Sequence, residues 1–321
     1  MNPLWVRLIS SPYFCVMVSA PPQQSTRTRV INVFRNFLKF RPAELFLASL
    51  TQGRSRTNLA WKLIPPEYLY QTSRYHRLTR GEIVLDLDLS NHNDYYVFYG
   101  FTEPPLLYLF SLIQPDFTVI DIGANIGFTA LNFARRCKYG FVYAYEPHDV
   151  SYSKLCRNAS LNHFSNLTVF QKGLGEKEAT QQLVTLNKHH SGMNRIQSAV
   201  SGGVESESVK VVRLDTEVIA LNIKKVSLIK IDVEGYELNV IRGALNTIRK
   251  FKPILFVELN EENLKQYGHS SETLVNLLWE LGYRVLDSKT GDVLRNSNWD
   301  SMETDILCLP IGGERSGGNS N

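Results

Sequence analysis

The chain has 321 residues, 43% apolar and 21% charged, with a formal net charge of +4. That is enough for one large globular domain with an extension, and no apolar run nears the roughly 20 residues that a membrane-spanning helix needs. The net charge hides an asymmetry: residues 1 to 81 hold 12 Lys or Arg against 2 Asp or Glu, whereas the rest holds 23 against 29, so a basic front precedes an acidic body.

The four cysteines (Cys15, Cys137, Cys156 and Cys308) form no C-x-x-C pair, which predicts reduced thiols in a cytoplasmic protein rather than disulfides or a zinc site. The apolar stretch Leu4 to Ala20 is broken by Arg7 and Pro12, and a loosely ordered start is expected there instead of a cleaved signal. Val30, Val33, Phe34, Phe37 and Leu38 then recur at helical spacing, with Arg35, Asn36 and Lys39 opposite. Such a basic amphipathic helix usually packs its apolar face on the body; contact with a membrane surface or an acidic glycan is the alternative. A second helix opens near Pro42. Residues 1–81 are thus a mostly helical extension, and 82–117 a lead-in with a strand from Glu82 to Leu89, a turn from Asn91 to Asp94 and a helix entered near Pro104, expected to cover one edge of the main sheet.

The main domain, 118–310, begins with TVIDIGANIGFT, a buried strand running through a glycine turn into a helix. Gly123 permits a tight turn and close ligand approach, Gly127 lets the helix sit near the sheet, and the first-turn amides face an anion. The pyrophosphate glycine of a G-x-G-x-x-G dinucleotide turn is missing, with Asn125 in its place, which argues against an NAD oxidoreductase. Asp121 at the strand end suits a ligand ammonium. Glu146, ending the strand Phe141 to Tyr145 about twenty residues on, suits a ribose. Together these describe S-adenosyl-L-methionine, gripped by Asp121, Gly123, Asn125, Gly127 and Glu146.

Strand and helix signals then alternate, which predicts an α/β, Rossmann-like parallel sheet with right-handed crossovers. A third strand, Leu167 to Phe170, ends at Gln171 to Gly175, which places Gly173 beside the adenine. Alternating segments Gln182 to Leu186 and Val209 to Val212 flank a polar loop containing His189, His190 and Arg195, a hairpin-like insertion at the crevice mouth. The fourth strand, Val226 to Ile231, leads into Asp232 and Glu234, and the fifth, Ile254 to Val257, delivers Glu258; neighbouring strands bring the three acids to one crevice. Strands Tyr283 to Leu286 and Asp305 to Leu309 form an antiparallel edge, and residues 311–321 a disordered tail.

The blocks VIDIGANIGFTAL, VYAYEP, LIKIDVEGYELNVIRGA and KPILFVEL, in this order, resemble the FkbM family of S-adenosylmethionine-dependent methyltransferases over roughly Leu85 to Leu309. The resemblance implies the seven-stranded methyltransferase sheet and methyl transfer to oxygen, less often nitrogen, on sugars, glycolipids or other natural products. Tyr145 stands where the family usually has phenylalanine and His148 where asparagine is common; the basic front lies outside the match.

A hydroxyl acceptor is a poor nucleophile and needs a base, for which Asp232, Glu234, Glu258, His189 and His190 are candidates, Asp232 or Glu234 being favoured. Three carboxylates can also hold Mg²⁺, but no ligand spacing demands it, and no metal is expected. The acidic body and the absence of an Asp/Asn-Pro-Pro-aromatic motif speak against nucleic acid as substrate. A noncatalytic nucleotide-binding module of the same fold is the alternative, and the carboxylates of the IDVEGYE block speak against it.

Overall fold

The computed structural model describes residues 25–52, 59–185, 194–197, 205–295 and 299–312. The expected start, the loop with His189 and His190, the Ser- and Gly-rich segment from Ser198 through Val204 and the tail from Gly313 lie outside the described residues.

Helices α1 (Thr26–Phe37), α2 (Arg41–Thr51) and α3 (Leu59–Leu63) precede a hairpin of β1 (Tyr75–Arg80) and β2 (Ile83–Asp88), then α4 (His92–Phe98) and α5 (Pro104–Leu112). The main domain runs β3 (Thr118–Ile122), α6 (Phe128–Arg136), β4 (Phe141–Tyr145), α7 (Asp149–Asn162) and β5 (Leu167–Phe170). An insertion contributes β6 (Gly173–Leu174), β7 (Ala179–Thr185), β8 (Asn194–Gln197) and β9 (Ser206–Val212). The chain closes with α8 (Leu214–Ala220), β10 (Leu228–Ile231), α9 (Glu237–Gly243), α10 (Leu245–Phe251), β11 (Ile254–Asn260), α11 (Glu261–Lys265), α12 (Ser271–Glu280), β12 (Tyr283–Asp287) and β13 (Glu303–Pro310).

Seven strands form the main sheet in the order β12-β13-β11-β10-β3-β4-β5. Strands β11, β10, β3, β4 and β5 pair in parallel, and β13 alone runs against its neighbours. The last two strands form an antiparallel pair at one edge of the sheet, as expected, with β13 inserted between β11 and β12. Because side chains alternate across a strand, Val119 faces the layer of α5, α6 and α7, while Ile120 and Ile122 face the layer of α8, α9, α10 and α12. Burial on both sides explains the near-continuous apolar runs of β3 and β10. The strand order reverses between β3 and β10, and the crevice beyond their carboxyl ends is where such sheets bind ligands.

The front differs from its sequence reading. The turn Gly81-Glu82 joins β1 to β2, so the expected boundary at residue 81 falls inside one hairpin. That hairpin lies over helices and reaches the sheet edge through β5: Leu85 and Leu87 share a core with Leu47, Phe98 and the α6 residue Leu131, and Leu167 of β5 packs against it. The β2 backbone is met by side chains of α7, with Asn162 Oδ1 accepting from Val84 N (2.7 Å) and Asn158 Oδ1 from Asp86 N (2.9 Å). The expected turn at Asn91 to Asp94 is the start of α4, because Asn91 caps it, its side chain accepting from Asp94 N. The apolar stripe of α1 meets the body at its end alone, where half-buried Leu38 packs against the core of Leu47, Phe98 and Leu131. Val30, Val33, Phe34 and Phe37 are exposed, and Asn32 is the buried residue of that helix.

The insertion is a four-stranded sheet, ordered β6-β9-β7-β8, larger than the expected hairpin. Its apolar side, Leu183, Ile196, Val209 and Val211, closes on Tyr236 just after β10. Among the described residues no helix is long and apolar enough to cross a membrane, and Cys137, Cys156 and Cys308 are unpaired.

Candidate active site

The turn after β3 is built on backbone that most side chains resist: Gly123, Asn125 and Gly127 have φ of 77°, 48° and 91°. The amides of Gly123 and Ala124 both donate to Tyr145 O at 3.0 Å, which clamps the turn to the end of β4. A Cβ on Gly123 would lie 1.9 Å from the Asp232 carbonyl oxygen, so β3 and β10 approach here as only glycine allows. Gly127 turns the other way, against Leu155 of α7, and serves packing.

Glu146 follows β4 directly and is buried. Its two carboxylate oxygens accept from Asn125 N (2.8 Å) and His148 N (3.0 Å), so its orientation is set by the glycine turn on one side and the start of α7 on the other. Burial pushes its carboxyl up to about 7, against the pull of these two donors.

Asp121 stands at the end of β3, as read from the sequence, and its charge already has a partner within the protein. It is fully buried, its Oδ2 accepts from Thr129 Oγ1 (2.6 Å), and Lys230 Nζ lies 3.6 Å from its Oδ1. Register is the reason: Lys230 on β10 pairs with Asp121 on β3, so the aspartate meets its counter-charge inside the sheet layer. Gly173 is likewise buried, drawn into β6 beside Val211 of β9.

The three acids predicted to converge do so: oxygens of Asp232, Glu234 and Glu258 lie within 4.8 Å of one another. A divalent cation can bridge that spacing. Lys230 already gives Asp232 a positive partner at 3.0 Å and also donates to Gly123 O (3.3 Å), so one buried ammonium ties the glycine turn to the acids. Burial disfavours its charge, but Asp232 and Asp121 outweigh this and hold it protonated. Glu234 has φ of 55°, a conformation that costs a non-glycine residue about 1 to 2 kcal/mol. Its Oε2 accepts from Asn263 Nδ2 (3.1 Å), whose own Oδ1 accepts from Arg195 (2.6 Å), which links the insertion sheet to the acids.

Burial, and then the Asp232 charge, push Glu234 up to about 8. Glu258, with its Oε2 buried and without a hydrogen-bond partner, is held well above the usual carboxylate range by burial and by Glu234 and Asp232. Two acids absent from the sequence reading join the group. Burial lifts Glu237, whose Oε1 accepts from the amides of Val233 and Gly235, to about 7, and burial with Asp232 lifts Asp305, which pairs with Glu258 across β11 and β13, to about 7. Lys230 was legible as a lysine inside the apolar run LIKI; Asp305 carried no local signal. Two surface hollows, one beside Tyr108 and β13 and one beside Asp86 and Arg157, are lined by none of these residues.

Raised carboxyl groups mean that the folded state binds more protons than the unfolded one between the ordinary range near 4.5 and about 7 to 8. Stability is therefore full below that window and is lost as pH rises through it. At about 1.4 kcal/mol per unit, the group should cost the unliganded protein several kcal/mol between pH 5 and 8. Urea unfolding at both values measures this, and equal midpoints would refute it.

The sheet order, the glycine turn and the acid after the second strand define the Rossmann-like methyltransferase arrangement. The chain belongs to the FkbM methyltransferase family: the family model described as Methyltransferase FkbM domain matches residues 121–285, just over half of it. It is 28% identical over 150 residues to Methyltransferase 1 of Beauveria bassiana (strain ARSEF 2860), a match covering 40% of this chain and 58% of that protein. It is 27% identical over 154 residues to Methyltransferase sdnD of Sordaria araneosa, covering 39% and 59%. The chain thus spans under three fifths of either relative. Among solved structures, Methyltransferase FkbM from Methylobacillus flagellatus KT aligns with a TM-score of 0.41 at 19% identity, over 84% of this chain and 58% of that one.

Proposed function

We propose that this protein is an S-adenosylmethionine-dependent O-methyltransferase acting on a hydroxyl of a sugar, glycolipid or other small natural product. The observation that carries it is the placement of a buried, oriented Glu146 on one side of the Gly123 turn and a cluster of proton-hungry carboxylates on the other, at the switch point of the sheet. When bound there, S-adenosylmethionine supplies a methyl group already activated on a sulfonium. Glu146 accepts the ribose hydroxyls, and the first-turn amides of α6 face the carboxylate end. Asp232, held by Lys230, positions the acceptor, and Glu234 or Glu258 takes its proton, since a base works best when its proton affinity matches the working pH. The body's acidic crevice also suits an ammonium, so an amine acceptor is the second reading.

Calorimetric titration with S-adenosylhomocysteine, with NAD as control, tests the cofactor. Binding requires Glu146 as a charged acceptor, so affinity should tighten as pH rises towards 8, by at most tenfold per unit. Glu146→Gln should weaken binding about 10- to 100-fold, from loss of hydrogen bonds to a charged group at roughly 1.5 to 3 kcal/mol, and should flatten the pH dependence. Wild-type affinity in the variant, or no binding by the folded wild type, would overturn the assignment.

A further inference from the structure

The outward face of α1 is unexplained by the chemistry above. Val30, Val33, Phe34 and Phe37 recur at i, i+3, i+4 and i+7 and so share one helix face; they are 62, 60, 77 and 75% exposed. The other side of the helix is tied to the protein. Buried Asn32 donates to Tyr68 Oη (2.6 Å), and Arg35 Nε donates to Lys62 O (2.8 Å). The helix is anchored by its polar side and turns its apolar side out, the reverse of an ordinary surface helix. Phe40, Phe46, Leu59 and Leu63 are exposed too, so that nine of the eighteen large apolar side chains left exposed among the described residues fall between Val30 and Leu63.

The exposed charged side chains of α1 and α2 are all basic. Arg27, Arg29 and Arg41 are exposed, and helical spacing puts Arg27 and Arg29 on the two flanks of the apolar stripe. Glu44, the one acid among residues 25–52, is fully buried between Arg74 and His76, each at 2.9 Å. A second copy of the chain docked through this face would set like-charged rims against each other.

We propose that the α1 face lies on an anionic lipid surface, with Phe34 and Phe37 at the headgroup boundary and Arg27, Arg29 and Arg41 against the lipid phosphates. This stands independently of the methyl-transfer chemistry. Co-sedimentation of the full chain with vesicles tests it, using phosphatidylcholine alone and phosphatidylcholine mixed with phosphatidylserine. Binding to the mixed vesicles should exceed binding to the neutral ones at least about tenfold and weaken with salt. Phe34→Ala with Phe37→Ala should lower it at least about tenfold on the mixed vesicles with an unchanged melting temperature, since both side chains already face solvent. Arg27→Gln with Arg29→Gln should remove roughly fivefold per arginine from binding to the anionic vesicles. The proposal fails if the full chain stays in the supernatant with both vesicles, or if the phenylalanine pair changes nothing. It also fails if sedimentation velocity shows self-association that the pair abolishes while neither vesicle binds, which would give the face to a second copy.

Discussion

Gly123→Ala is expected to cost the fold about 3 kcal/mol or more, the sum of a left-handed residue at roughly 1 to 2 and an overpacked contact at roughly 1 to 3 kcal/mol. The contact decides the magnitude. The new Cβ would meet the Asp232 carbonyl oxygen at 1.9 Å, and that oxygen is backbone, on a residue held by its own amide on Ile122 O at 3.2 Å. It can yield only by moving Asp232, so the variant should also lose S-adenosylhomocysteine affinity. Gly127→Ala, with φ of 91°, meets Leu155 Cδ1 at 2.5 Å, the tip of a side chain that can turn away, and should cost less. Gly81→Ala, with φ of 61° and nothing within 4 Å of the new atom, should cost about 1 kcal/mol. Denaturant midpoints should therefore rank Gly81, Gly127, Gly123 from mildest to most severe; a different order would mean that β3 and β10 are not closed on each other as described.

Glu234→Gln is expected to slow methyl transfer by about 10² to 10⁴, the usual contribution of a positioned base, while changing S-adenosylhomocysteine affinity less than threefold or so. Asp232 is the weaker candidate for that role, because its carboxylate is already engaged by Lys230 at 3.0 Å, whereas Glu234 is lifted to about 8 by burial and its acidic neighbours. The group titrates together, so the rate of the wild type should climb with pH towards about 8 through an apparent value belonging to the cluster. Asp232→Asn removes the charge that, after burial, does most to lift Glu234, and should move that limb to lower pH even if the rate also drops. A Glu234→Gln enzyme keeping more than a tenth of wild-type turnover would move the base elsewhere, and an unmoved pH limb in Asp232→Asn would uncouple the two acids.

Much of this was legible along the chain because it rests on short-range physics. Short apolar runs and the 3.6-residue period announced β3, α6, β4, β10 and β11, and glycine after a strand marked the turn at Gly123. The convergence of Asp232, Glu234 and Glu258 came from two strand ends that neighbour in any sheet of this winding. The readings that moved were those of environment. Asn91 to Asp94 are turn formers, and the same side-chain chemistry caps a helix. The next residues decide between the two, and here Tyr95 and Phe98 had a core to enter.

The amino-acid sequence alone determined the alternation of strands and helices, the glycine turn, the acid after β4 and the basic, stripe-bearing front, since each depends on residues within one or two turns of each other. Only the tertiary structure decided that Asp121 is matched internally, that Gly173 joins a second sheet, that Asp305 completes the acidic cluster and that the α1 stripe faces outward. Each of these is set by strand register or by side-chain bonds between segments distant in the chain, such as Lys230 with Asp121 and Asn32 with Tyr68. A pattern fixes which residues share a face, but what that face meets depends on where the rest of the chain has gone.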